Sequence, residues 1–130
     1  MTDQIRHYEE KLSYEWDSAD LFDNLETNPD VVVIDTRKDF AYDIEHIPGA
    51  INFPHRTMDE DSTSSLDKSK TYVCYCDGIG CNGSTKGSLK MTKLGFNTRE
   101  LIGGLDWWKR DGYATEGVES KEGTIIQCAC

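Results

Sequence analysis

The chain has no apolar run approaching the length of a membrane span, and its opening stretch, MTDQIRHYEEKLSYEW, lacks the apolar centre of an export signal. A cytoplasmic protein with no membrane partner is expected. Positive charge is scarce, with 14 Lys and Arg against 24 Asp and Glu and a net charge of −10. Nucleic acid and anionic lipid both require clustered cations, so neither is expected as a partner. No internal repeat is visible. The five cysteines are an odd number in a chain without an export signal, so reduced thiols are the starting expectation. Zinc ligands usually come as cysteine pairs two to four apart, and Cys74-x-Cys76 along one strand does not provide that geometry. No metal or organic cofactor is expected.

What is present suits one compact core in 130 residues of which 37% are hydrophobic. Ile5, Tyr8 and Leu12 mark a short amphipathic opening. Asp17 or Ser18 can cap a helix that carries Leu21, Phe22 and Leu25 on one face and stops at Asn28-Pro29. VVVID, residues 31–35, is a β-branched run suited to a strand covered on both faces. HIPGAINFP turns at Pro48-Gly49, and MDEDSTSSLDKSK, residues 58–70, reads as a mobile polar loop. TYVCYC is a second buried strand ending at Cys76. From Ser84 a helix runs to Gly95 in a left-handed terminal position, with Phe96 packing back on Met91. TRELIGG gives a further strand, and LDWWKRDGY a last helix around Leu105 and Trp108. This alternation predicts an α/β domain, a mainly parallel sheet with helices on both faces.

In such sheets ligands bind beyond the carboxyl ends of the strands, where Cys76 meets a glycine-rich turn into a helix. Asp77, Gly78, Ile79, Gly80, Cys81, Asn82, Gly83 and Ser84 are expected to form a cradle of backbone amides. The helix terminus adds positive potential, which would favour the Cys76 thiolate. Cys76 is thereby the candidate nucleophile, and Lys86, one turn into the helix, the only cation expected nearby.

VVVIDTRKDFAYDIEHIPGAINFP, YVCYC before the glycine-rich loop, LGF, and LIGGLDWWKRDGY together resemble the single-domain rhodanese-like sulfurtransferase family. The resemblance spans about residues 14–114, leaving 1–13 as a helical extension and 115–130 as a tail. It implies the three-layer rhodanese-like fold and a sulfane sulfur carried as a persulfide on Cys76. The sulfur would come from a small donor such as thiosulfate or a protein persulfide and pass to a thiol acceptor. Active members close a six-residue loop on Arg, where this chain has Cys81; related phosphatases and arsenate reductases end a longer loop on Arg, where it has Asn82. Without that guanidinium, phosphoryl or arsenate chemistry is disfavoured. A second reading is a non-enzymatic or regulatory module in which Cys76 and Cys81 sense oxidant.

The other conspicuous residues carry plainer expectations. Cys74 is a small buried hydrophobe. Cys81 is either a resolving thiol for Cys76 or a filler of the missing arginine's space. Cys128 and Cys130 lie in a terminal tail. His46 fixes a turn, His55 is an unremarkable loop residue, and Arg37 is an auxiliary candidate beside structural Asp35. Of Trp107 and Trp108, one belongs to the core and the other borders the site.

Overall fold

The structure, a computed structural model, describes residues 2–123. In chain order the elements are α1 (Thr2–Tyr14), β1 (Glu15–Trp16), α2 (Ser18–Thr27), β2 (Val31–Asp35), α3 (Asp39–Ile44), β3 (Ile51–Asn52), a 3-10 turn (His55–Thr57), β4 (Thr71–Tyr75), α4 (Gly83–Lys93), β5 (Asn97–Leu101) and α5 (Gly104–Arg110). The strands form one sheet in the order β1-β5-β4-β2-β3, with every pair parallel.

Side chains alternate across this sheet and build two cores. Val31, Val33, Val73, Tyr75 and Leu101 point to one face, where they meet Leu21 of α2, Leu105 and Trp108 of α5 and, at the edge, Tyr42 of α3. Ile34, Tyr72 and Cys74 point to the other, against Met91 of α4, Met58 and Phe96. The expected three-layer α/β arrangement is therefore present.

Local chemistry explains the helix ends. Asp17 caps α2 with a reciprocal pair of bonds, its carboxylate accepting from the Asp20 N–H at 2.8 Å while the Asp20 carboxylate accepts from the Asp17 N–H at 3.2 Å. At the end of α4, Gly95 has φ +93°, and the N–H groups of Gly95 and Phe96 donate to the carbonyls of Thr92 and Met91. That doubly bonded left-handed terminus folds Phe96 back beside Met91.

Several expectations need correction. The strand ends at Tyr75, so Cys76 is the first residue beyond it. β1 and α3 were invisible in the sequence, one being two residues long and the other six. The helix α1 forms but buries no residue; Ile5, Tyr8 and Leu12 all stay exposed. The stretch 58–70 is not a free loop. Met58 and Thr63 are buried, the Ser62 hydroxyl donates to the Thr57 carbonyl at 2.6 Å, and the Tyr72 hydroxyl donates to the Asp67 carbonyl at 2.8 Å. Its serines and aspartates satisfy the backbone locally, which is why it shows no period. Among the described residues no helix is long and apolar enough to cross a membrane.

Candidate active site

β2 and β4 pair in register from Val31 with Thr71 to Asp35 with Tyr75, so the two strands leave the sheet side by side as Thr36-Arg37 and Cys76-Asp77. The exit is fixed by a buried polar network. The Tyr75 hydroxyl donates to Asp35 Oδ2 at 2.7 Å and accepts the Ile47 N–H at 3.1 Å. Burial first, and then the neighbouring Asp35 charge, push the Tyr75 phenol well above its ordinary value, so it stays a neutral donor. Arg37 closes the network: Nη2 and Nε reach the Asp35 carboxylate at 2.8 and 3.0 Å, Nη2 donates to the Glu45 carbonyl at 2.6 Å, and Nη1 reaches Asp77 Oδ1 at 3.1 Å. Arg37 thus ties the strand end, α3 and the first residue after Cys76 together. It is a positioning residue.

The other side of Cys76 is held by α5. The N–H groups of Leu105 and Asp106 donate to the carbonyls of Cys76 and Asp77 at 3.0 and 2.8 Å. Gly104, at φ +58°, makes this possible, because a Cβ there would collide with the Cys76 carbonyl. Gly83 does the same for the sulfurs: its missing Cβ would lie 3.0 Å from Cys76 Sγ and 3.5 Å from Cys81 Sγ.

Cys76 opens into a cleft of about 400 Å³ lined by Thr36, Arg37, Lys38, His55, Arg56, Asp77, Cys81, Asn82, Gly83 and Lys86, among others. Four of the chain's 14 Lys and Arg line this one cleft, and Asp77 is the acidic residue on it. For a protein of net charge −10 that is a local inversion of sign. Lys86 is therefore not the only nearby cation, as the sequence suggested. Lys38 comes from the β2–α3 connection and Arg56 from the 3-10 turn. The turn is docked by the His55 N–H donating to the Thr36 carbonyl at 3.1 Å and by Lys90 Nζ donating to the His55 carbonyl at 2.9 Å. His55 is a lining residue rather than an incidental one. Partial burial first, then the charges of Lys90, Arg56 and Lys86, lower its pKa, which keeps it neutral at neutral pH.

The loop itself divides. Asp77, Cys81, Asn82 and Gly83 line the cleft with Cys76. Gly78, Ile79 and Ser84 face a separate hollow of about 210 Å³ toward Glu15, Glu100 and Ile102, with the Ser84 hydroxyl donating to Glu100 Oε2 at 2.7 Å. Gly80 borders neither of these cavities. The Cys81 N–H is used within the loop, donating to the Gly78 carbonyl at 3.1 Å. Of residues 77–84, Asp77, Cys81, Asn82 and Gly83 thus share the cleft with Cys76, and Gly78, Ile79, Gly80 and Ser84 do not line it.

Cys76 and Cys81 are joined by a disulfide, with Cα atoms 6.2 Å apart, in place of the reduced thiols expected from the sequence. Their sulfurs and an Asp77 oxygen lie within 4.8 Å of one another. In the disulfide the two sulfurs are bonded to each other, and the Asp77 carboxylate is engaged by Arg37. Cys74 lies in the core, its Sγ 3.9 Å from Met91 Sδ, and burial first pushes its pKa up to about 12. It is an inert thiol. His46 stacks on Tyr42 with ring centroids 3.8 Å apart, and its backbone pairs with Glu116, in keeping with a structural role. Trp108 is core; Trp107 packs beside Gly103 and Arg110 and does not line the cleft. Cys128 and Cys130 lie outside the described residues.

The family described as Rhodanese-like domain matches residues 18–111. Among solved structures, the BH2092 protein of Bacillus halodurans is similar at 38% identity and a TM-score of 0.88, covering 98% of this chain and 94% of that one. The rhodanese-like domain of the Anabaena sp. Alr3790 protein aligns at 30% identity and a TM-score of 0.71, covering 89% of each chain. Among curated proteins, the tRNA uridine(34) hydroxylase of Yersinia pestis (strain Pestoides F) is 32% identical over 94 residues, 67% of this chain and 26% of that protein. The chain spans about a quarter of the length of the curated relatives it matches.

Proposed function

The chain belongs to the rhodanese-like domain family, and from that premise we propose that it is a sulfurtransferase that carries a sulfane sulfur on Cys76. The supporting observation is the placement of Cys76 on a cleft that concentrates Arg37, Lys38, Arg56 and Lys86 in an otherwise acidic protein. Such a field draws in an anionic sulfur donor and stabilises the anion it leaves behind. With thiosulfate, the Cys76 thiolate attacks the sulfane sulfur, the S–S bond breaks, and sulfite departs with the electron pair. The product is a Cys76 persulfide. A thiol acceptor then attacks the outer sulfur, takes it, and regenerates the Cys76 thiolate.

The guanidinium that the loop lacks is replaced collectively by cations from three other places: the β2 exit, the 3-10 turn and the first turn of α4. No metal or organic cofactor enters this chemistry. The name of the curated relatives concerns tRNA, but those proteins are about four times the length of the match, and the charge of −10 argues against a nucleic-acid partner here.

Reduced protein incubated with thiosulfate or glutathione persulfide should gain about 32 Da on the peptide containing Cys76, at least transiently in the wild type and durably where Cys81 is replaced, and Cys76→Ser should abolish the gain. An adduct that persists in Cys76→Ser but disappears in Cys81→Ser would transfer the role to Cys81. The disulfide supports a second reading, in which oxidant joins Cys76 to Cys81 and switches a binding module. Mild peroxide separates the two: a sensor forms the disulfide, whereas sulfinic acid at Cys76 with Cys81 still open to alkylation removes that reading.

A further inference from the structure

The sulfur of Cys81 is bonded to that of the candidate nucleophile, so it reaches the atom on which a carried sulfur would sit. Resting on the sulfur-carrying reading above, we infer that Cys81 resolves the Cys76 persulfide by displacing its outer sulfur as hydrosulfide, making the chain a persulfide reductase supplied with electrons by an external dithiol.

The step balances without a further reactant. The Cys81 thiolate attacks Sγ of Cys76, the bond between Sγ and the outer sulfur breaks, and HS⁻ leaves with the electron pair. The new bond is the Cys76–Cys81 disulfide seen here. Over loading and resolution together, two thiols give up two electrons and the sulfane sulfur takes them up as sulfide. An external dithiol then reduces the disulfide and becomes a disulfide itself. Attack on the outer sulfur instead merely moves the persulfide between the two cysteines, and the same exchange returns it.

Three features of the site favour the inner attack. Gly83 leaves space against both sulfurs that any side chain would fill. The turn closed by the Cys81 N–H on the Gly78 carbonyl brings Cys81 back over the strand end, with its Cα 6.2 Å from that of Cys76, inside the ordinary range for a disulfide. The leaving hydrosulfide is delivered into the cleft of Lys38, Arg56 and Lys86, where negative charge is stabilised. Cys74 is no competitor, being buried against Met91.

The geometry also assigns the sulfur that the external dithiol attacks. Cys76 is 5% exposed, whereas Cys81 is only half-buried and borders both the cleft and the hollow on the β5 side. The dithiol therefore forms its mixed disulfide with Cys81 and releases Cys76 as the thiolate, ready to reload.

The test is a single turnover with the full chain, reduced, freed of reductant, and given one equivalent of thiosulfate or glutathione persulfide. Acid-quenched samples are assayed for sulfide and protein mass. Wild type should release about one equivalent of sulfide and finish about 2 Da lighter, with the disulfide mapped to Cys76 and Cys81. Cys81→Ser and Cys81→Ala should hold the 32 Da adduct on Cys76 and release at least about tenfold less sulfide. The double variant Cys128→Ser/Cys130→Ser should behave as wild type; loss of sulfide release there would assign resolution to the tail and overturn the inference. A wild-type protein that keeps its adduct without releasing sulfide also overturns it, while leaving sulfur carriage on Cys76 intact. If wild type and both Cys81 variants take up no sulfur from either donor, the sulfurtransferase reading falls and this inference with it.

Discussion

Replacing Arg37 with methionine should be among the most damaging single changes in the domain. The Arg37 side chain is 8% exposed and the Asp35 side chain 0%. Removal of the guanidinium strands a buried carboxylate that retains only the Tyr75 hydroxyl at 2.7 Å and the Arg37 backbone N–H at 3.0 Å. It also removes a donor from the Glu45 carbonyl. Breaking one half of a buried pair costs about 3–5 kcal/mol, and the two surviving bonds place the expected loss near the lower end. Against a total of about 5–15 kcal/mol for a domain, that is a large fraction. By contrast, the contact to Asp77 is worth under about 1 kcal/mol because that carboxylate is 71% exposed, so Asp77→Asn should be nearly silent in stability. The measurement is urea unfolding followed by tryptophan emission, to which buried Trp108 contributes, on Arg37→Met, Asp35→Asn and the double variant. In Asp35→Asn/Arg37→Met both charges are gone while the amide still accepts from Tyr75, so the double loss should fall short of the sum by about 2 kcal/mol. An Arg37→Met loss below about 1 kcal/mol, or additivity within about 0.5 kcal/mol, would refute the network as the anchor of the strand exit.

Two further expectations concern charge. If the four cations act as a distributed field, Lys86→Ala and Arg56→Ala should each lower kcat/KM for an anionic donor by about fivefold or less, and added salt should weaken the wild type in the same direction. A loss on the order of a hundredfold from Lys86→Ala alone would mean that this lysine has taken over the role of a single oxyanion donor. The second is a pH effect. Glu45 is buried, and although burial itself raises its pKa, bonds from Lys109 at 2.7 Å and Thr115 at 2.6 Å override it and hold the carboxyl below its usual value. A depressed folded pKa gives stability that is present above the ordinary carboxylate value of about 4.5 and is lost as pH falls through the folded one. Glu45→Gln should cost about 1–2 kcal/mol at neutral pH and flatten the acid limb of the stability profile; an unchanged acid limb would contradict the assignment.

The parts of the fold legible in the sequence are those whose signal is local and long enough. VVVID and TYVCY announce themselves because strands covered on both faces are largely apolar along their length, and both are covered by helices here. The end of α4 was legible for the same reason, since Gly95 and Phe96 complete a terminus within a few residues. β1 was not, because Glu15-Trp16 becomes a strand only through pairing with Glu100 and Leu101 far along the chain. α1 shows the converse failure. Its Ile5, Tyr8 and Leu12 carry helical spacing, and the helix forms, yet no layer of the sheet reaches that face. Periodicity reports which side could be buried, not whether anything buries it.

The candidate site divides along the same line. Cys76 could be found from its place between a buried strand and a glycine-rich turn, and Cys81 from its nearness in the chain. Lys38, His55 and Arg56 could not, because nothing local in the connections that carry them says which cleft they turn toward. They converge with Lys86 only after the Thr36 carbonyl and Lys90 have docked the 3-10 turn against β2 and α4. Net charge hid them further, since a total of −10 gives no sign that four of 14 cations share one cleft. A global charge governs solubility and long-range approach, whereas a small anion entering a cleft responds to charges within about a Debye length, some 8–10 Å at moderate salt. On the proposed reading that distinction matters for a site whose loop lacks an arginine: the loop alone offers no guanidinium, while the folded cleft gathers Lys38, Arg56 and Lys86 around Cys76.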